Sequence, residues 1–141
     1  MEKVSLVPRS VVFKEGEVAS KLYIVKSGEV LCLKSSKDRL IPVFLAKEGD
    51  ILGESAMVKD IPYTYSAISL KPSELLEVTA MDFEAVFSRS PVWLSELLRT
   101  MVSRFQDTSH LIAENRMVHS SIIDEEQFTS QLEIEFKKLI S

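Results

Sequence analysis

The sequence has one cysteine, Cys32, among 141 residues. A lone thiol cannot close an internal disulfide, which excludes a small secreted scaffold held by such bonds. Cys32 sits inside the apolar run Val30–Leu33 and reads as a small core residue. Histidine is equally scarce. His110 and His119 both fall in a stretch with helical spacing, and Glu114, four residues after His110, reads as its surface partner. Cupin-type metal binding needs a His cluster on strands, so no metal site is expected. No apolar run approaches the roughly 18 residues of a membrane span. The N-terminus lacks the apolar centre of a signal peptide, so a cytoplasmic protein without a membrane segment is expected. Basic residues are outnumbered, 17 against 21 acidic, for a net charge of −4 and a pI near 5.3. That balance, without a Lys/Arg cluster, does not suit direct DNA binding. A Walker-type phosphate loop is absent. No nucleophile stands beside a base, and Ser55 next to Glu54 reads as a helix start, so catalysis and a cofactor are not expected.

What remains is ordinary globular composition, 45% hydrophobic and 27% charged, with enough length to bury one core. Residues 9–79 read as short strands between turns. Val11-Val12-Phe13, Leu22–Val25, Val30–Leu33 and Leu40–Leu45 are rich in β-branched or aromatic residues, with Gly16, Gly28 and Gly49 in the turns between. Ser66–Leu70 and Glu74–Val78 follow, separated by Pro72-Ser73. Strands of this length and spacing predict a compact roll or barrel.

The period changes at Thr79, a helix cap with Asp82 three residues on. Phe83, Val86 and Phe87 have helical spacing, predicting a short helix over 80–89. Ser90-Pro91 then opens a long helix over 91–119. Leu94, Leu98, Met101, Phe105, Thr108, Ile112 and Asn115 follow steps of four and three over about four heptads, a seam extended by His119 and Ile122. Leu97, Val102 and Leu111 broaden its apolar face. Polar Thr108 and Asn115 within the seam point to a homodimer, since buried polar residues fix register there. The last segment, 121–141, predicts an amphipathic helix opened by Asp124-Glu125-Glu126 and closed by Lys137-Lys138. Its stripe Phe128, Leu132, Phe136 and Leu139 must bury against the roll, a second copy or another protein partner.

The segment that bears on function runs from Gly49 to Ala67. A strand ends at Leu52, Gly53 permits a sharp turn, and a helical turn starts near Glu54. Free amides at such a start attract an anion, and the Glu54 carboxylate accepts hydrogen bonds from a hydroxyl. That pairing suits a sugar phosphate.

In order and spacing these residues resemble the cyclic-nucleotide-binding domains, the family of the catabolite activator protein and of cAMP-dependent protein kinase regulatory subunits. The resemblance covers residues 9 to about 118. It is carried by Phe13-Lys14-Glu15-Gly16-Glu17, Leu22–Val25, Gly28-Glu29-Val30, Gly49–Glu54, and Phe83 and Phe87 before Pro91. It implies an α+β fold: residues 1–90 form a jelly-roll-like β-roll with a short cassette helix, and C-terminal helices follow. It further implies that Gly53 and Glu54 meet a ribose hydroxyl and that Ser55 and Ala56 offer amides to a cyclic phosphate. Pro62-Tyr63-Thr64 stands where the family usually has Pro-Arg and a small or hydroxylated residue. Thr64 keeps the hydroxyl, whereas Tyr63 replaces the arginine and cannot make its bidentate charged contact. Tyr65 occupies a position where a small residue is usual, either to stack on a base or to fill the pocket. Thr108-Ser109 resembles the pair that contacts adenine across the dimer of the catabolite activator protein. The segment after Val118 is too short for that protein's helix-turn-helix domain, so direct DNA contact is not expected. Two readings stay open: a non-catalytic sensor of cAMP, cGMP or a related cyclic nucleotide that relays through its C-terminal helices, and a ligand-independent dimeric adaptor with a degenerate pocket.

Overall fold

The computed structural model describes residues 1–116 and 118–141. Eight strands form two antiparallel four-stranded sheets: β1 (Glu2–Leu6), β2 (Val11–Phe13), β3 (Lys21–Ser27), β4 (Val30–Ser36), β5 (Arg39–Ala46), β6 (Ile51–Leu52), β7 (Ser66–Ser69) and β8 (Ser73–Thr79). One sheet has the order β1-β8-β3-β6 and the other β2-β7-β4-β5. The inner core joins both sheets through Phe13, Tyr23, Val25, Val30, Cys32, Ile41, Val43, Leu52, Tyr65 and Leu75. The β-roll expected from the strand spacing is the fold observed.

Val30 to Leu33 are all fully buried. Alternation along a strand sends Val30 and Cys32 inward and Leu31 and Leu33 to the opposite face, so a continuous apolar run means that both faces are covered. The outer cover is the C-terminal segment. Ile123, Phe128 and Phe136 pack on Leu31, Leu33, Leu40 and Ile68.

Three helices flank the roll's edges and mouth. Helix α1 (Glu54–Lys59) links β6 to β7; α2 (Ala80–Phe87) is capped by Thr79 Oγ1, which accepts the Asp82 amide at 3.1 Å. Helix α3 (Val92–Asn115) packs against α1, β4 and β5. The helix expected over 91–119 stops sooner because Arg116 turns left-handed (φ 52°) and donates its amide back to the Ala113 carbonyl at 3.0 Å. Met117 lies outside the described residues.

Helix α4 runs from Ser130 to Ile140, not from 121. Thr129 is its cap, accepting the Leu132 amide at 3.2 Å, and Asp124, Glu125 and Glu126 lie in exposed turns before it. Ile123 and Phe128 are both buried on one sheet. Five residues at about 100° each would set them on different sides of a continuous helix, so the chain bends between them. Phe128 and Phe136 of the stripe are buried on the chain's own sheet and Leu132 packs partly buried beside them, while Leu139 stays 39% exposed. Glu133 anchors the docking. Its carboxylate accepts from Arg39 Nε at 2.9 Å, Arg39 Nη2 at 3.0 Å and the Leu40 amide at 3.0 Å. Burial pushes this carboxyl up, but the bonds from Arg39 and Leu40 and the charges of Arg39 and Lys137 outweigh it and hold it below its ordinary value.

Candidate functional site

Gly53 adopts φ +81°, the left-handed conformation at the start of α1. A side chain there would also press on the Tyr63 ring at 3.1 Å and the Lys21 carbonyl at 3.3 Å, so conformation and space both require glycine. The turn swings the chain from β6 into α1 and buries Ser55, Ala56, Met57 and Val58. One Glu54 carboxylate oxygen, Oε2, and the Ser55 hydroxyl are buried with no hydrogen-bond partner among the described residues. Burial raises the Glu54 carboxyl above its ordinary value, its own amide and the nearby Tyr65 hydroxyl offset this in part, and Asp50 adds to the rise.

Tyr65 occupies this site from within. Its ring is 2% exposed, and its hydroxyl accepts the Gly53 amide at 2.8 Å. The ring meets Phe13 at 5.4 Å between centroids and stands edge-on to Phe105 of α3 at 6.1 Å. Tyr63 packs into the core behind Gly53. It stacks on Phe13 at 4.0 Å and 11°, donates its hydroxyl to the Lys21 carbonyl at 2.6 Å, and is 5% exposed. Its backbone is tied to the β2–β3 turn, receiving the Gly16 amide at 2.8 Å and giving its own to Glu17 at 3.0 Å. Thr64 is half-buried, and its carbonyl accepts Lys34 Nζ at 2.7 Å. The structure therefore brings Tyr65 and Tyr63 onto the cassette at Gly53, which leads into Glu54, Ser55 and Ala56, while Thr64 between the two tyrosines contacts Lys34.

The two helix residues do not join that group as a pair. Thr108 is exposed, while Ser109 is buried and spends its hydroxyl on the Phe105 carbonyl at 2.8 Å. Nor does the heptad seam form one surface. Phe105 and Ile112 pack against the roll's inner core, and Leu94 and Leu98 are half-buried. The exposed apolar face of α3 carries Trp93 (66%), Leu97 (48%), Met101 (57%) and Leu111 (61%) instead, beside exposed Thr108 and Asn115. Hydrophobic periodicity marks every apolar position on a helix without saying which side the roll claims.

Residues 3–90 match the model of the cyclic nucleotide-binding domain. The chain belongs to that family. Over 62 residues, 44% of its length, this cyclic nucleotide-binding domain is 39% identical to the cAMP-dependent protein kinase regulatory subunit of Pyricularia oryzae. Over 58 residues, 41% of its length, it is 43% identical to the cGMP-dependent protein kinase of Plasmodium berghei. The chain spans only 15% and 6% of those two relatives. Among solved structures, the cAMP-bound form of the EAL enzyme Bd1971 has the same fold, with a TM-score of 0.69 and 24% identity over 79% of this chain and 30% of that one. The Thermus thermophilus catabolite activator protein gives 0.65 and 21% over 78% and 52%.

Within this cyclic nucleotide-binding domain, Lys34 reaches the segment around Thr64, a contact that reading the sequence did not foresee. Positions 34–39 form a polar run in the sequence. Strand β4 in fact continues through Ser36, and Lys34 pairs with the buried core residue Ile41. Its one signal in the sequence is a charge directly abutting an apolar run. Cys32, also on β4, is wholly buried, and burial pushes its thiol well above the ordinary value, as befits an inert core residue.

Proposed function

We propose that this chain is a non-catalytic regulatory module that senses cAMP or a related cyclic nucleotide at Gly53-Glu54 and relays its presence through α3. The observation that carries this reading is the buried, partner-free Glu54 Oε2 beside the equally unpartnered Ser55 hydroxyl. Burying polar atoms without partners costs roughly 1–3 kcal/mol each, a cost a hydroxylated ligand would relieve. The named relatives, a cAMP-dependent kinase regulatory subunit and a cGMP-dependent kinase, support the ligand class.

In this structure the Gly53 amide is already taken by Tyr65. A ribose hydroxyl that is to reach the Gly53 amide must displace the Tyr65 hydroxyl, and the Tyr65 ring touches Phe105. Moving Tyr65 therefore pushes on α3. Helix α3 has room to respond: Glu54, Phe83, Leu98, Met101 and Phe105 line a cleft of about 560 Å³ at its side. Lys59 of α1 also donates to Gln106 of α3 at 2.6 Å, tying the cassette to the same helix. The ligand shifts the balance only as far as it favours the displaced state. Pairing of α3 through Trp93, Leu97, Met101 and Leu111 with a second copy completes the reading, because these apolar side chains are exposed on the single chain.

A second reading, a ligand-independent dimeric adaptor, is favoured by one observation: the Gly53 amide already has an internal partner in Tyr65. Calorimetric titration with cAMP and cGMP separates the two. Saturable heat and a rise in melting temperature are expected from the sensor; neither effect at millimolar nucleotide would leave the adaptor.

A further inference from the structure

We propose that Lys34 supplies the cation for the anionic group of the ligand, a role that Tyr63 is unable to fill. The proposal rests on the cyclic-nucleotide reading of the site and names a residue for its charged half.

The register of the β4–β5 pair carries the argument. Cys32 and Lys34 flank Leu33, which faces the outer core with Leu31 and Leu40. A bulge in the pairing follows Cys32 and Phe44, after which Leu33 pairs with Pro42 and Lys34 with Ile41. Paired residues of an antiparallel ladder point to the same face, and Ile41 belongs to the inner core. Lys34 thus carries its ammonium to the inner face of the roll. There it donates to the Thr64 carbonyl at 2.7 Å. An ammonium has three donors, and among the described residues no carboxylate lies within ion-pair distance of this one. Glu15 of the β2–β3 turn, the acidic residue beside Ser35, spends a carboxylate oxygen on the Ser35 amide at 2.9 Å and its own amide on Ser66 Oγ at 2.9 Å.

A half-buried cation with spare donors and no counter-ion favours a bound anion over an empty site, because burial costs the charged form most when nothing neutralises it. Tyr63 is held by the Phe13 stack and by Lys21, and a phenol brings no positive charge. Lys34 reaches the same segment from the facing strand. Lysine acts here as a point charge, without the fixed fork of an arginine, so the contact tolerates an anion in more than one orientation.

The test is calorimetric titration of the full chain with cAMP, for the wild type, Lys34→Gln and Lys34→Arg, at two salt concentrations. Charged hydrogen bonds of this kind correspond to a loss of about tenfold to a hundredfold on neutralisation. The expected result is that Lys34→Gln loses that much affinity and most of its salt dependence, while Lys34→Arg stays within about threefold of the wild type. Equal urea midpoints for the three proteins tie the loss to the contact rather than to folding. If wild type and Lys34→Gln bind cAMP equally, Lys34 has no such role although the sensor reading stands. If the wild type shows no binding at millimolar cAMP, both fall together.

Discussion

The Tyr65 hydroxyl accepts the backbone hydrogen of Gly53 across 2.8 Å, inside the roll and closed off from solvent. A side chain of β7's approach thereby takes the amide at the head of the cassette and holds its ring against Phe105 of α3. One side chain touches both the cassette and the long helix.

Removing that hydroxyl separates its two roles. Tyr65→Phe keeps the ring and leaves the Gly53 amide unpaired, which should lower stability by about 1–3 kcal/mol. The same change removes the group a ligand has to displace, so cAMP affinity should rise. Urea denaturation and calorimetry on the same preparation check both effects; a variant that is less stable and binds no better would separate Tyr65 from ligand entry.

Tyr63→Arg tests the other tyrosine. The substitution breaks the Phe13 stack and the bond to the Lys21 carbonyl, at an expected cost of about 3–5 kcal/mol, as for loss of a buried aromatic. Affinity for cAMP should nevertheless increase in the fraction that stays folded, since the guanidinium adds a charged contact. Melting curves with and without nucleotide report the two quantities separately; a ligand-induced shift no larger than that of the wild type would count against a phosphate near position 63.

Helix α4 should detach when its anchor is weakened. Glu133→Gln leaves Arg39 without its counter-charge and is expected to cost about 1–3 kcal/mol near neutral pH. The Glu133 carboxyl lies below its ordinary value in the folded chain, so the unfolded chain takes up its proton first as pH falls. The stabilisation is complete above the unfolded carboxylate value, about 4.3, and is lost as pH drops through the lower folded value. Urea midpoints of wild type and variant should differ at pH 7 and converge as the pH falls below the ordinary carboxylate range; a constant gap would mean that the charge plays no part.

Dimerisation, if it uses α3, must use the side the roll leaves open. Leu97→Glu with Met101→Glu should give light-scattering masses near one chain without disturbing the core, because both side chains are exposed. Phe105 is unsuited to this test, since it packs on Phe44 and Tyr65. A dimer that survives the double substitution would move the interface elsewhere.

Much of the molecule was legible locally. Strand runs bounded by Gly16, Gly28 and Gly49, the Thr79 cap with its Asp82 amide, and the Leu52-Gly53-Glu54 passage from strand to helix are written in residues a few positions apart. Alternation, caps and left-handed glycines act over that range, so reading them needs no knowledge of the fold. Strand β1 was not read, because Glu2–Leu6 depends on β8, more than sixty residues away, for its pairing.

The sequence alone determined that the chain is a β-roll followed by helices, with a cassette at Gly53-Glu54 and without an arginine at position 63. Only the tertiary structure decided what that cassette faces. Strand alternation and the pairing with Ile41 turn Lys34 inward, the β2–β3 turn fixes Tyr63 behind Gly53, and Tyr65 folds back onto Gly53. The outer sheet claims Phe128 and Phe136, while the inner core claims Phe105 and Ile112 from the long helix. The reason is the same in each case. Periodicity tells which residues are apolar or charged, but a side chain's partner is set by strand register and helix docking between segments far apart in the chain.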